Sequence, residues 1–228
     1  LRTSFDEILI VQEGRTEFDN PTPEDAKLFE SVVEKASAYE PGMEIAVDAI
    51  VGTVRVEGTD DQEVQVMARK HVLLQSTENA PAALEALGVG VERLDNRIHV
   101  RTTARDDMTA VGGSYYRVDL LVRAPRTAPL TLRAQNGDTI VREFSGPMNI
   151  VQTQGRAVAE KCTGPAEIAN QGGDIQALDC GGAVTITATK GTVTTRSIAG
   201  PQQITCTEGK TVADAPLGPV TIRQHGGD

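Results

Sequence analysis

Three cysteines carry the thiols of this sequence, and two of them are spaced in a way that could bring them together. Cys162 and Cys180 stand eighteen residues apart, which is one period of the sequence around them. If neighbouring strands carry them, their Cα atoms lie about 5 Å apart, within the range for a disulfide. Parallel stacking aims both side chains the same way, so a pair of stacked, buried free thiols is the favoured interpretation, with a disulfide as the alternative. Cys206 has no partner at this spacing.

Two carboxylates occupy equivalent positions in the same period. Asp138 and Asp174 each follow a glycine and are separated by two strands, roughly 9 to 10 Å, which would suit a pair of acids flanking a glycosidic bond. The residues between and after them in this slot are Arg156, Thr192 and Lys210, so a chance match on a polar slot is the favoured interpretation. Glycan cleavage is kept only as a less favoured hypothesis.

The histidines His71, His99 and His225 are scattered and share no ligand spacing with one another or with the cysteines. Structural roles are therefore expected for all of them. The sequence also has no G-x-S-x-G elbow, phosphate-binding loop or dinucleotide fingerprint. We predict no catalytic residue, no bound metal and no cofactor, and hence a protein that is not an enzyme.

Glycine recurs every nine residues through the second half of the sequence. A fixed period of this kind is typical of short strands that are joined by tight corners and stack on one another. Glycine suits a corner because it reaches positive φ without steric cost. The predicted corner residues are Gly137, Gly146, Gly155, Gly164, Gly173, Gly182, Gly191, Gly200, Gly209, Gly218 and Gly227.

A period of eighteen lies within this spacing. Apolar and polar residues alternate around each apolar slot, as in Val184 to Thr187, which is the pattern of a strand with one buried face. We predict for residues 129–228 a right-handed β-solenoid or β-roll with about five and a half coils of eighteen residues. The predicted core ladder is Leu132, Ile150, Ile168, Ile186, Ile204 and Ile222, and a second internal ladder is Phe144, Cys162, Cys180, Ile198 and Pro216.

Two other architectures with related periods fit less well. Left-handed hexapeptide helices need an apolar residue every six positions, and the residues six beyond the isoleucine slots are polar. Calcium-binding nonapeptide rolls need aspartates in their turns, and only "GGDI" at 172–175 and "GGD" at 226–228 are similar.

Residues 1–128 are predicted to form an α+β region that caps the open end of this array. The segment 20–42 has an apolar stripe at helical spacing, which predicts an amphipathic helix near 23–38 with Thr22, Pro23 and Asp25 at its start. Hairpins are predicted at 52–70 and 92–103, a brief helix at 78–88, and a strand at 115–125.

The net charge of −10 excludes two classes of partner. Binding to nucleic acid rests on neutralising phosphates, and anionic membrane surfaces attract basic segments, so neither is expected here. No apolar run of eighteen residues exists, so no transmembrane segment is predicted in this chain. The sequence begins at Leu1 rather than Met, and we expect a processed chain or an excerpt.

Three stretches resemble a known family: "MEIAVDAIVGTVRVEGTDDQEVQVMARK", "YRVDLLVRAPRTAPLTLRAQNGDTIV" and the glycine-punctuated segments that follow. Over roughly residues 43–228 the chain resembles the bacterial putative-adhesin family of β-strand-repeat proteins, a domain of unknown function. The resemblance implies a β-solenoid, a location in the cell envelope or outside the cell, and no agreed active site.

Taken together, these features predict a non-catalytic cell-envelope or surface module, adhesin-like or structural, that presents a flat polar face to an unknown protein or glycan. The alternative is a scaffold that self-associates through an open end of the array, where unpaired strand edges would invite addition. The glycan-cleaving enzyme is the third and least favoured hypothesis.

Overall fold

Buried and exposed side chains alternate along most strands, because one face of each sheet packs on a core and the other meets water. The computed structural model describes residues 8–12, 26–105 and 115–226. Strands make up 66% of the structure and helices 5%. The prediction of a mainly β protein is therefore confirmed.

The described elements begin with β1 (Ile8–Gln12), β2 (Lys27–Ala38), β3 (Glu44–Val51), β4 (Val54–Thr59) and β5 (Glu63–Leu74), followed by a 3₁₀ turn (Thr77–Asn79) and α1 (Ala80–Glu85). Next come β6 (Leu87–Leu94), β7 (Arg97–Ala104), β8 (Tyr115–Pro125), β9 (Leu130–Asn136), β10 (Thr139–Arg142), β11 (Met148–Gln154), β12 (Ala157–Glu160) and β13 (Ala166–Gly172). The last are β14 (Ile175–Leu178), β15 (Val184–Ala188), β16 (Gly191–Arg196), β17 (Gln202–Thr207), β18 (Gly209–Asp214) and β19 (Val220–His225).

These strands form two large sheets. The ten-stranded sheet has the order β1-β2-β5-β8-β4-β10-β12-β14-β16-β18, and the nine-stranded sheet has the order β19-β17-β15-β13-β11-β9-β3-β7-β6. From β9 onward, successive strands alternate between the two sheets. Each pairs in parallel with the next strand of its own sheet at a register of eighteen residues, as Ile150 with Ile168. The nine-residue glycine spacing is thus the distance from one sheet to the other.

The predicted fold class, a right-handed β-solenoid or β-roll capped by an N-terminal α+β region, is wrong. Both sheets are mixed, neither is closed and neither is a solenoid sheet. The reason is that strands of the first half join the same sheets: β3 pairs with β9, and β4 pairs with β10. A regular glycine spacing predicts short strands and tight corners, but it does not predict which other strands extend each sheet. The division of the chain at residue 128 into two domains stays a prediction.

The amphipathic helix predicted near 23–38 is instead the strand β2. Its whole length pairs with β5. Both faces are buried at its beginning, where Leu28, Phe29, Glu30 and Ser31 are all covered. Burial of both faces removes the period-2 pattern from the sequence, and the remaining apolar residues then mimic helical spacing. The predicted capping residues at 22–25 lie outside the described residues.

Of the other predictions for the first half of the chain, some are confirmed and one is wrong. The hairpin predicted at 52–70 is wrong, because β8 lies between β4 and β5 in the sheet. The hairpin at 92–103 is present as the antiparallel pair β6 and β7, and the strand at 115–125 is β8. The brief helix at 78–88 is the 3₁₀ turn and α1, although Gly88 belongs to the strand that follows.

Most of the predicted core ladder lies in the interior between the sheets. Leu132, Ile150, Ile168, Ile186 and Ile204 are paired in register and at most 2% exposed, whereas Ile222 on the outermost strand is 45% exposed. In the second ladder, Phe144, Cys162, Cys180 and Ile198 are buried and Pro216 is exposed.

The predicted corner glycines form two structural classes. The first has left-handed backbone and consists of Gly137, Gly155, Gly173 and Gly191. The second lacks left-handed φ, and an added Cβ would overlap the carbonyl oxygen of the residue eighteen positions earlier: Gly146, Gly164, Gly182, Gly200, Gly209 and Gly218. At the corners of this second class the left-handed residues are not glycine but Glu143, Lys161, Asp179, Ser197, Glu208 and Ala215. Gly227 lies outside the described residues.

Candidate functional site

The outward face of the nine-stranded sheet carries a regular array of polar side chains, which we name the polar face. It is built by β9, β11, β13, β15, β17 and β19; the inward residues of the first five pack in the core, and β19 is the exposed edge strand. The first outward row is Thr131, Asn149, Glu167, Thr185, Gln203 and Thr221, the second is Arg133, Val151, Ala169, Thr187, Thr205 and Arg223, and the third is Gln135, Thr153, Gln171, Thr189, Thr207 and His225.

The spacing within this array follows from strand geometry. Neighbours within a row lie on adjacent strands, about 4.8 Å apart, and neighbours along a strand are two residues apart, about 6.6 Å. Every member of the three rows is exposed or partly exposed. The polar face therefore offers hydroxyl and amide groups at regular intervals in two directions, and all of its members except Thr189, which follows β15, lie on strands.

Charge is scarce on the polar face. Its acidic and basic members are Glu167, Arg133 and Arg223, with His225 on the outermost strand; threonine is the commonest of the rest, and Val151 and Ala169 are its apolar members. One outward row of the ten-stranded sheet carries more charge: its members are Glu57, Arg142, Glu160, Leu178, Arg196 and Asp214, and Arg142 Nε lies 2.9 Å from Glu160 Oε2. The row beside it is mostly uncharged: Arg55, Ile140, Val158, Gln176, Thr194 and Val212. Strand propensity alone favours threonine on any strand, so it does not explain a difference between the two sheets.

A cluster of paired charges borders the polar face, on β3 and β7. His99 Nε2 lies 2.7 Å from Asp48 Oδ2, and Arg97 Nη2 lies 2.8 Å from Glu44 Oε2. A hydrogen bond with the Thr131 side chain, at the start of the polar face, is the main cause that holds the pKa of Glu44 below its ordinary value, and Arg97 adds to it. Arg133 Nη1, in the second row of the polar face, lies 3.8 Å from Asp48 Oδ1, so the acidic and basic groups at this border face one another.

The two aspartates considered for catalysis have structural partners. Asp138 Oδ1 accepts the backbone N–H of Arg156 at 3.0 Å, and its Oδ2 accepts from the Arg156 guanidinium at 3.0 Å. Asp174 Oδ1 accepts the backbone N–H of Thr192 at 2.7 Å. Each carboxylate thus ties its corner to the equivalent corner eighteen residues later, a role that the shared slot in the sequence did not reveal.

The three histidines have different surroundings in the structure. His71 is buried on β5, with Nδ1 2.7 Å from Glu30 Oε1 and Nε2 3.1 Å from Asp119 Oδ2. His99 belongs to the border of the polar face, and His225 is exposed at its end. The sequence did not reveal the cluster at His71, because its members come from three strands and one of those strands was predicted as a helix.

The buried thiols form one pair and one single residue. Cys162, Cys180 and Cys206 are all free and at most 2% exposed. A hydrogen bond between the two stacked thiols lowers the pKa of Cys180 to about 7 and raises that of Cys162, and burial adds to the rise at Cys162. Across the described ranges, no group of three or more His, Cys, Asp or Glu is placed to hold a metal ion.

The helices in the described part of the chain are all too short or too polar to cross a membrane.

No protein-family model and no curated protein matches this sequence. Solved structures do resemble it. A putative cell adhesion protein from Clostridium sporogenes is 10% identical, with a TM-score of 0.41, over 84% of this chain and 98% of that chain. A putative adhesin from Bacteroides fragilis is 11% identical, with a TM-score of 0.28, over 84% and 97%. A putative lipid binding protein from Parabacteroides distasonis is 7% identical, with a TM-score of 0.24, over 85% and 97%.

The first two of these structures bear names of the kind that the sequence resemblance suggests, and the β-strand-repeat part of that resemblance is not confirmed. At TM-scores below 0.5 they carry no argument about what this chain binds or does.

Proposed function

We propose that this chain is a non-catalytic binding module of the bacterial cell surface, and that its polar face holds a neutral polysaccharide. The observation that carries the proposal is the regular array of hydroxyl and amide side chains on rigid, in-register strands. Such groups donate and accept hydrogen bonds equally well, as do the hydroxyl groups of a sugar. A polymer that repeats its own hydroxyl groups can engage several rows at once.

Charge supports a neutral ligand over an acidic one. The chain carries a net charge of −10, so an anionic polymer would be repelled at long range. The two arginines of the array, Arg133 and Arg223, lie on the first and last of its strands and not side by side. They therefore form no cationic track that could offset this repulsion.

Many weak contacts are expected to add up along the polymer. A single hydrogen bond that replaces one to water contributes about 0.5 to 1.5 kcal/mol, so a short oligosaccharide should bind weakly. A long chain that contacts several rows should bind more tightly through multivalency, without any new kind of contact. We expect affinity to rise with the length of the glycan and to change little with salt, because screening acts on charges.

Binding to a panel of neutral and acidic polysaccharides tests this function. The variant Thr187→Lys places a long charged side chain in the middle of the polar face, on the strand β15. We expect it to weaken binding of the neutral polymer by tenfold or more, as measured by affinity electrophoresis or calorimetry. An exposed strand substitution of this kind should change the free energy of unfolding by about 0.5 kcal/mol or less.

Thr194→Lys is the matched control, because Thr194 points outward from β16 in the ten-stranded sheet, next to Gln176. It adds the same charge and side chain to the opposite surface, and binding should be unchanged. Equal loss in both variants, or binding of acidic polymers alone, would contradict the assignment of the face. Failure to bind any polysaccharide on the panel would contradict the proposed function itself.

The surface location belongs to the same proposal and has its own test. Protease treatment of intact source cells should remove the protein, whereas a cytoplasmic control protein should survive until the cells are lysed. Protection of this chain in intact cells would contradict a surface location and would direct the search for partners to the inside of the cell.

Cleavage of the bound glycan receives less support from the geometry. Both candidate acids, Asp138 and Asp174, are engaged with backbone N–H groups of the next corner. Self-association through strand edges also stays a hypothesis, which light scattering against protein concentration tests. Release of reducing ends by the wild-type chain, lost in Asp174→Asn, would favour the enzyme over the binding module.

A further inference from the structure

The thiols of Cys162 and Cys180 lie in equivalent places, one above the other. Cys162 Sγ lies 3.4 Å from the Glu160 carbonyl oxygen and 3.8 Å from that of Val141. Cys180 Sγ has the same two contacts one strand further on, at 3.4 Å from the Leu178 oxygen and 3.7 Å from that of Ala159. Identical contacts mean that both side chains point the same way from equivalent backbone positions.

The backbone holds the two cysteines at the spacing of neighbouring strands. They follow β12 and β14, which pair in parallel with Glu160 opposite Leu178. Beyond the strands, the Gly181 N–H donates to the Cys162 carbonyl oxygen at 2.8 Å, which continues the ladder past the cysteines. The Cα atoms of Cys162 and Cys180 are therefore separated by close to the strand spacing of about 4.8 Å.

This spacing suits a bridging metal ion better than a disulfide. A disulfide needs Cβ atoms about 3.5 to 4.5 Å apart and sulfurs about 2.05 Å apart, with side chains directed toward each other. Metal–thiolate bonds are about 2.3 Å long, so two of them placed end to end span about 4.6 Å. Stacked parallel thiols meet the second requirement without a change in the backbone.

The surroundings select the kind of ion. Both cysteines are at most 2% exposed, and the residues of their ladder on either side are Phe144 and Ile198, both fully buried. The slot thus offers two sulfur ligands between apolar side chains, and the other polar atoms near the sulfurs are the backbone carbonyl oxygens described above. Hard or four-coordinate ions would need oxygen, nitrogen or further sulfur ligands, whereas soft thiolates favour Cu(I), which accepts two ligands in a line.

We propose that Cys162 and Cys180 form a two-coordinate site for a soft monovalent metal ion, with Cu(I) as the ion that fits the sulfur pair. On binding, the two thiols release two protons to solvent, two copper–sulfur bonds form, and the site gains a net charge of −1. No oxidation or reduction takes place. The inference is independent of the polar face, which lies on the other sheet.

Anaerobic titration of the full chain with Cu(I), supplied as its acetonitrile complex, tests this site. We expect one Cu(I) per chain, with two sulfur neighbours and no third ligand in X-ray absorption. The melting temperature should rise with added Cu(I), because the ion binds the folded state. Binding of no ion, or an absorption spectrum with three or four ligands, would overturn the proposal.

The variants Cys162→Val and Cys180→Val each remove one ligand while keeping an apolar side chain in the ladder, so both should remain folded. Each should lower the affinity for Cu(I) by at least a hundredfold in competition with a chromophoric chelator. Cys206→Ala removes the buried cysteine that has no stacked partner, and its affinity should equal that of the wild type. Unchanged affinity in either valine variant would overturn the assignment of ligands.

A separate measurement addresses the covalent alternative. Treatment of the native chain with a small-molecule disulfide should leave Cys162 and Cys180 unbridged, so its mass should not fall by two hydrogens. Formation of an intramolecular disulfide between them without unfolding would show that the sulfurs approach more closely than the strand spacing allows, and would overturn the metal site.

Discussion

Gly191→Ala is expected to destabilise the protein by about 2 to 6 kcal/mol, measured by urea denaturation. Two separate costs contribute. Gly191 has a φ of +105°, which strains any residue with a Cβ. The added methyl group would also overlap the carbonyl oxygen of Gly173 at the equivalent corner eighteen residues earlier, so the backbone of the two stacked corners would have to shift.

Three further glycines separate these costs. Gly42 has a φ of +95° and no atom within 4 Å of an added Cβ, so Gly42→Ala should cost about 1 to 2 kcal/mol from strain alone. Gly164 has no left-handed φ, but its Cβ would overlap the Gly146 oxygen, so Gly164→Ala should cost about 1 to 3 kcal/mol from crowding alone. Gly172 has neither feature, and Gly172→Ala should be within about 0.5 kcal/mol of the wild type.

The order of the four variants by free energy of unfolding distinguishes backbone strain from crowding. Gly191→Ala should be the least stable, Gly172→Ala the most stable, and the other two should lie between them. If Gly164→Ala unfolds at the same urea concentration as Gly172→Ala, the corners do not touch as closely as described. If Gly42→Ala matches Gly191→Ala, strain would account for the whole effect and the approach to Gly173 would be irrelevant.

The same glycines show what the sequence could predict. Glycine is required wherever a Cβ would overlap the backbone of the stacked corner, and such glycines recur at a fixed spacing in the sequence. That spacing predicted the pairing of Ile150 with Ile168, eighteen residues apart. It could not predict the partners of β4, because the insertion of β8 beside it depends on contacts between segments far apart in sequence. Local patterns therefore located the strands of the second half, while the sheets themselves were assembled by long-range pairing.

Burial explains why some predictions for the first half of the chain were wrong. In a strand with one solvent-exposed face, such as β15, apolar and polar residues alternate along the sequence. The first residues of β2 are buried on both faces, so this alternation is absent there. The polar face was partly predictable, because its outward positions follow from the period of eighteen. Its low charge was not predictable as a distinguishing feature, because the contrast is with one charged row of the other sheet, whose members the sequence does not place side by side. The cluster around His71 was not predictable, since no motif links Glu30, His71 and Asp119.

Asp119→Asn is expected to destabilise the protein by about 2 to 4 kcal/mol at neutral pH. The carboxylate lies 3.1 Å from the buried ring of His71, accepts the Thr53 N–H at 2.8 Å, and lies 3.2 Å from Arg117 Nε. An amide would keep the shape but remove the negative charge that faces two basic groups. Asp48→Asn is the matched control: the Asp48 side chain, which pairs with His99, is 41% exposed, so its replacement should cost about 1 kcal/mol or less.

The pH dependence of this effect has a definite sign. Burial alone would raise the pKa of Asp119, but the contact with His71, the Thr53 N–H and Arg117 together hold it below its ordinary value. A lowered pKa means that the unfolded state binds the proton more readily, so the stabilisation is present above about pH 4, the pKa of an unfolded aspartate, and is lost as the pH falls through the folded pKa. The stability difference between wild type and Asp119→Asn should therefore shrink between pH 7 and pH 2.5 in urea denaturation. A difference that stays constant across this range would show that shape and hydrogen bonding, and not the charge of Asp119, stabilise the cluster.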